Sequence, residues 1–278
     1  MQIVLLTALA LVLLAANSLL TRAGVLDGTD PLAFAAIRVA AGAAMLVVLS
    51  ARRGVPLTGS RRWGAAVALV VYLLGFSLAY RTLDAGLGAL ILFATVQLGL
   101  FGLGLARGEG AGPQRLGGMA LALGGLMWLL WPGAGVQTDP VDALLMVAAG
   151  LGWAAYSFAG KFEARPLAGS AGNFVLATGL FVLAVPFWWG AVITPFGIGL
   201  AFVSGAITSG VGYAILFRVL PQMDATTAGL AQLAVPVIAM AGGAALLAEW
   251  PTIPALAAAG LVLAGITVAT WRPRRKTA

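Results

Sequence analysis

The chain has 278 residues, 61% of them hydrophobic and 9% charged, with a formal net charge of +7 and neither cysteine nor histidine. A soluble domain carries about a quarter charged residues, so a soluble fold this apolar could not cover its own surface, and a mean hydropathy of +1.02 points to lipid as the solvent. The missing residue types exclude disulfides, thiol chemistry and the usual metal ligands, and no cofactor is expected.

Apolar runs lie at 3–23, 32–50, 63–80, 86–106, 114–131, 141–160, 170–189, 197–217, 226–248 and 253–271. A spanning helix needs about 20 apolar residues. The chain therefore reads as an all-α integral membrane protein of ten transmembrane helices joined by short connections. Asp27-Gly28-Thr29-Asp30-Pro31 closes the first run, Arg52-Arg53-Gly54-Val55-Pro56 the second, and Arg107-Gly108-Glu109-Gly110 with Gly112-Pro113 the fourth. Trp131-Pro132-Gly133 closes the fifth. No basic stretch precedes the first run, so it reads as a retained helix rather than a cleaved leader.

The charges orient the chain. With the N-terminus inside, thirteen of the sixteen basic residues fall on inner connections, Arg22 and Arg81 fall outside, and Arg38 lies within the second run. The positive-inside rule then places both termini in the cytoplasm. Lipid headgroups and orientation account for the basic charge, so membrane lipid is the expected partner and nucleic acid is not. Trp63, Trp128, Trp131, Trp188, Trp189, Trp250 and Trp271 sit at or near run ends, as an interfacial belt requires. Trp153 alone is mid-run.

A shift of about 140 positions exposes weak self-similarity. Asp84-Ala85 meets Asp224-Ala225, Glu109 meets Glu249, Gly125 meets Gly265 and Trp131 meets Trp271. A shift of 139 brings Ala15-Ala16-Asn17-Ser18 onto Ala154-Ala155-Tyr156-Ser157, and Arg22 onto Lys161. The expected units are 1–135 and 136–278, five helices each. An odd number of helices inserts the copy upside down, and such inverted repeats build carriers around a central cavity.

The chain resembles the EamA branch of the drug/metabolite transporter superfamily over essentially its whole length. The resemblance rests on Tyr80-Arg81-Thr82-Leu83-Asp84-Ala85-Gly86, on Met223 through Glu249 with Ala231-Gln232-Leu233-Ala234-Val235-Pro236, and on Phe34-Ala35-Ala36-Ile37-Arg38. It implies ten helices, a central cavity and transport of small metabolites, often export. Within the family the chain is most similar to the YddG group of aromatic amino-acid exporters. Val96-Gln97 departs from the pattern, standing where the second half has Val235-Pro236.

A polar side chain in lipid is costly unless it faces protein or water, so mid-run polar residues outline the interior. They are Asn17, Tyr72, Ser77, Tyr80, Thr95, Gln97, Trp153, Tyr156, Ser157, Ser204, Thr208, Ser209, Tyr213, Thr226, Thr227 and Gln232, with the apolar ring of Phe76 beside Ser77. Tyr80, Trp153, Tyr156 and Tyr213 either wall a cavity for a large apolar side chain or pack the bundle. Asn17 and Gln97 either bind a substrate's charged groups or link helices. Expected substrate-binding residues are Asn17, Phe76, Tyr80, Gln97, Trp153, Tyr156, Tyr213 and Gln232. Expected gating or structural residues are Arg38, Glu109, Pro236 and Glu249. Arg38 reads either as the partner of Asp27 or Asp30 or as a counter-charge for a substrate carboxylate. Pro186 and Pro236 are expected to interrupt the seventh and ninth runs, Pro236 as a hinge or a fixed kink.

The expected protein is a bacterial inner-membrane exporter of small metabolites, amino acids including aromatic ones foremost, working by alternating access as a monomer or homodimer. A multidrug or other metabolite carrier is the alternative. A membrane enzyme is disfavoured because no HExxH, GxSxG or paired mid-membrane carboxylates occur. A channel is disfavoured because nothing resembles a ring filter.

Overall fold

The computed structural model describes residues 2–51, 54–131, 138–187, 189–223 and 231–271, and among these no strand occurs. Ten helices follow one another in the described residues: α1 (Gln2–Leu26), α2 (Pro31–Ser50), α3 (Ser60–Ala79), α4 (Ala85–Ala106), α5 (Pro113–Leu129), α6 (Pro140–Gly160), α7 (Pro166–Leu183), α8 (Pro195–Val219), α9 (Ala234–Leu247) and α10 (Ile253–Thr270). Eight of these are long and apolar enough to cross a membrane. The other two, α5 and α9, have 17 and 14 described residues. The start of the expected ninth run, with Thr226 and Thr227, lies outside the described residues, as does Trp188.

Local chemistry sets the helix ends. Asp30 precedes Pro31 and accepts from the backbone of Leu32 and Ala33; Asp139 precedes Pro140 and does the same for Val141 and Asp142. Each caps otherwise orphaned donors in front of a proline that needs none. Thr194 and Thr252 cap α8 and α10 through their hydroxyls. The expected span of the seventh helix is corrected: it runs from Pro166 to Leu183, and Pro186 falls in a short 3-10 turn beyond it. Pro186 therefore ends that helix instead of kinking it, since it offers no N–H to the carbonyl four residues back. The same reason applies at Pro236, which has no N–H for the carbonyl of Gln232. The helical backbone of 231–232 breaks at Leu233, and Pro236 sits in the first turn of α9.

Inside α8, residues Ser204–Val211 form a π-helical segment. Such wide turns are rare in a regular helix and tend to mark functional positions. Gly205 and Gly210 let this segment lie directly on α2, because a methyl group on either would strike Arg38's backbone or the Met45 side chain. The bundle pairs α3 with α6, α2 with α7 and α1 with both α8 and α9. α4 packs between α6 and α9, and α5 with α10 forms a pair leaning on α4.

The helices α4 and α9 end alike. Gly108 (φ 81°) and Ala248 (φ 57°) are left-handed, and each is followed by a glutamate. At the first, Gly108 and Glu109 donate back to Leu105 and Gly104, the paired bonds of a Schellman cap. At the second an alanine occupies a conformation that costs an L-residue about 1 kcal/mol. Ala248→Gly is expected to stabilise the protein by about 1 kcal/mol, visible as a higher Tm in detergent.

Candidate functional site

Tyr72 and Phe76 of α3 and Tyr80, the residue that caps its end, are spaced by four and follow one helix face. Their rings begin a column through the bundle. Tyr80 meets Phe76 edge-on at 4.8 Å, Phe76 lies 5.3 Å from Tyr72, and Tyr72 lies 4.8 Å from Trp153 of α6. Trp153 in turn contacts Tyr156 at 5.4 Å and Tyr213 of α8 at 5.3 Å. Below this point the column opens into a cavity of about 440 Å³, with Trp153, Tyr156 and Tyr213 in its wall.

The cavity runs to the end of the bundle that carries the α2–α3, α4–α5 and α6–α7 connections. Its outer wall includes Arg61, Lys161 and Pro221, all exposed. Arg62 braces this wall: it donates to Glu163 at 2.6 Å, to the carbonyl of Gly169 at 2.8 Å and to Asn173 at 3.2 Å. Tyr156 donates to Ser170 at 3.0 Å. The floor at Trp153 is seven residues from the end of α6, about 10 Å deep at 1.5 Å per residue.

The opposite end is laced together. Arg22, at the end of α1, donates to Glu249 at 2.7 Å and to the carbonyls of Tyr80 and Arg81 at 2.9 and 3.0 Å. Asp84 lies 3.8 Å away. The second oxygen of Glu249 accepts from the backbone of Ala85 at 2.7 Å. It thereby caps α4, whose own Asp84 makes no side-chain cap bond, and places a negative charge at a helix N-terminus. Arg81 and Thr82 both donate to the buried Asp142 of α6, at 2.6 and 2.9 Å. Thr194 donates to Asp27 and Thr29 bonds Thr194, joining the α1–α2 and α7–α8 connections. Four connections and the start of α6 are thus tied at one end.

Between the two ends lies a polar centre. Asn17 of α1 accepts hydrogen bonds from Ser204 at 2.9 Å, Thr208 at 2.6 Å and Ser209 at 3.3 Å, all on the π-helical segment. Arg38 is 0% exposed. Its Nη2 donates to Tyr72 at 2.9 Å and approaches Ser209 at 3.5 Å. Its guanidinium lies over Phe76 and Tyr72, 4.9 and 5.5 Å from their centroids. The expected pairing with Asp27 or Asp30 is corrected. Asp27 is engaged with Thr194 and Asp30 with the α2 backbone, and Arg38 forms no ion pair among the described residues.

Of the residues expected to bind a substrate, Trp153, Tyr156, Tyr213 and Gln232 stand together in the cavity wall. Phe76 and Tyr80 lie above it in the aromatic column and Asn17 in the polar centre. Gln97 is half-buried next to Val96, which does line the cavity. Glu249 belongs to the laced end, whereas Glu109 is largely exposed near Arg115, at 3.8 Å. Sequence reasoning missed Arg61, Arg62, Lys161, Glu163, Ser170 and Asn173 in the wall. The basic members of this group sit at helix ends, where lipid headgroups alone would account for them. The clustering of Glu163, Ser170 and Asn173 just after Lys161 was the available cue.

Residues 142–271 match the model of the EamA-like transporter family. An uncharacterized protein of Pseudomonas aeruginosa is 44% identical over 274 residues, covering 97% of this chain and 94% of that one. A crystal structure of a protein 20% identical to this chain superposes with a TM-score of 0.66, over 94% of this chain and 98% of the other. That likeness bears on the fold alone.

Two outcomes follow from the geometry. The chain has no cysteine, so an introduced thiol is the only one present. Ser157→Cys, in the cavity wall, is expected to react with a polar maleimide about tenfold faster or more than Ser77→Cys, which is buried. Glu249→Ala removes the close partner of Arg22, leaving it only the longer Asp84 contact and two carbonyls, and is expected to cost about 3 kcal/mol, read as a lowered Tm; an unchanged Tm would mean the lacing contributes nothing.

Proposed function

We propose, from the premise that this chain belongs to the EamA-like transporter family and is a multi-pass membrane transporter, that it carries small metabolites by alternating access, amino acids with large apolar or aromatic side chains foremost. The observation that carries this reading is a cavity with aromatic walls, open toward one end of the bundle, beneath a second end tied by the buried Arg22–Glu249 pair and by the half-exposed Arg81 on the buried Asp142. One-sided access to a central site is what a carrier needs in each half of its cycle.

The ten helices are read as ten spans, in two units of five, 1–135 and 136–278, related by inversion. Three features support the repeat. Both α4 and α9 end in a left-handed residue followed by glutamate. α1 packs on α8 and α9 as α6 packs on α3 and α4. The glutamates then fall at opposite ends of the bundle; among the described residues Glu249 is tied to Arg22 of α1, whereas Glu109 lies near Arg115 of α5. Under the positive-inside rule the end with Arg61, Arg62 and Lys161 is cytoplasmic, as are both termini. The match to a Pseudomonas protein supports a bacterial inner membrane. An opening on the cytoplasmic side presents the site to internal substrate, which favours export.

The flat walls supplied by Trp153, Tyr156 and Tyr213 suit a planar side chain, each aromatic contact being worth about 1 kcal/mol beyond burial. Purified protein in liposomes is expected to take up labelled tryptophan or phenylalanine saturably, with exchange for internal unlabelled amino acid. Trp153→Ala is expected to lower uptake about tenfold, equivalent to about 1.4 kcal/mol, with Tm and elution volume retained. Wild-type uptake by Trp153→Ala would remove the cavity from the transport path. Absence of amino-acid uptake by folded wild-type protein would move the substrate to another metabolite or a flat drug cation.

A further inference from the structure

We infer that Arg38 is the anion anchor of the transport site, taking the carboxylate of the substrate once the ring layer beneath it has parted. This rests on the carrier reading above and narrows its substrate class to compounds bearing a carboxylate.

A guanidinium has five N–H donors and no acceptor. In Arg38 the three on Nε and Nη1 find no partner among the described residues, although the side chain is fully buried. Removing a cation from water is costly without a counter-charge. The acids nearest in sequence are committed elsewhere, Asp27 to Thr194 and Asp30 to the start of α2. The cation is held in place by other means: Tyr72 accepts from Nη2 and the faces of Tyr72 and Phe76 flank it. These contacts orient the group and leave its donors unclaimed.

Its location fits the role. Tyr72 links the guanidinium to Trp153, which is in the cavity wall, so one ring layer separates Arg38 from the cavity. Ser209 and the hydroxyls around Asn17 approach from α8, so elements of both proposed halves meet there. On the other side Tyr80 and the Arg22–Glu249 lacing close the path. A carboxylate at Arg38 with its side chain among Trp153, Tyr156 and Tyr213 would span the ring layer. An unneutralised guanidinium at this depth repels organic cations, and it sets apart tryptophan from its amide and from tryptamine.

The test compares uptake of labelled tryptophan, tryptophanamide, tryptamine and indole-3-acetate into liposomes by wild-type protein, Arg38→Gln and Arg38→Lys. Wild-type protein is expected to prefer tryptophan over tryptophanamide by about 30-fold, as for hydrogen bonds to a charged group. Arg38→Gln is expected to bring this ratio to within about threefold, and Arg38→Lys to fall between, since lysine keeps the charge and loses the fork. A merely structural role would lower all rates together and leave the ratio intact. Wild-type protein that carries tryptophanamide or tryptamine as well as tryptophan overturns the assignment without recourse to any variant. An Arg38→Gln that folds and keeps the wild-type ratio overturns it too, and leaves amino-acid transport standing. Uptake of indole-3-acetate but not tryptophan, lost in Arg38→Gln, supports the anchor and overturns the amino-acid reading.

Discussion

Arg22 and Glu249 meet at 2.7 Å where both side chains are about nine-tenths buried. The pair does more than neutralise two charges. Glu249 also caps α4 through Ala85, and Arg22 also binds the carbonyls that end α3. Removing water from charged groups is repaid only when their remaining donors and acceptors are met, and here the backbone of a helix turn supplies those partners. The consequence is geometric. α1, the α3–α4 connection and the α9–α10 connection are tied at one end, with Arg81 tying α6 to the same turn, and the cavity lies toward the other end.

The interior between these ends is governed by the same demand. In hydrocarbon every polar group must find its partner within the protein. Asn17 does so by collecting three hydroxyls from α8, and the π-helical segment brings Ser204, Thr208 and Ser209 onto one side of that helix. The cluster ties α1 to α8, one helix from each half of the chain. Thr21, Ser50, Arg62, Ser77 and Thr95 each leave one buried polar atom without a partner among the described residues, whereas Arg38 leaves two nitrogens of a fully buried cation, and these unclaimed donors mark it as a group with a further partner.

Close packing makes the two-ended arrangement compatible with motion. Gly118 and Gly265 bring α5 and α10 to backbone contact, and Gly75 and Gly152 do the same for α3 and α6. Surfaces without protruding side chains resist separation through dispersion and do not interlock, so helices in such contact can slide or rock. The break at Leu233, set by Pro236, leaves α9 short and joins it to α1 and α4 near the tied end.

Composition and spacing alone determined that the chain lives in lipid, where most of its connections fall, and which family it resembles; the ends of the seventh and ninth helices came only from the structure. These are legible because burial in hydrocarbon needs long apolar runs, and because Asp30-Pro31, Asp139-Pro140 and Gly108 act on backbone within a few residues of themselves. Trp153, Tyr156 and Tyr213 were also legible as cavity candidates, since large polar-edged rings are rare mid-helix, and Glu249 as a gating or structural acid. The tertiary structure decided which of these meet. A helix apolar on every side has no polar stripe to show which face turns inward, so nothing local told Phe76 from Tyr156, or placed Asn17 against α8 rather than in the cavity. Nor could spacing show that Arg62, Glu163 and Asn173 form a wall, or that Arg38 pairs with neither of the aspartates nearest to it in the chain. Those relations join residues 34 to 227 positions apart, and only packing of whole helices brings them together.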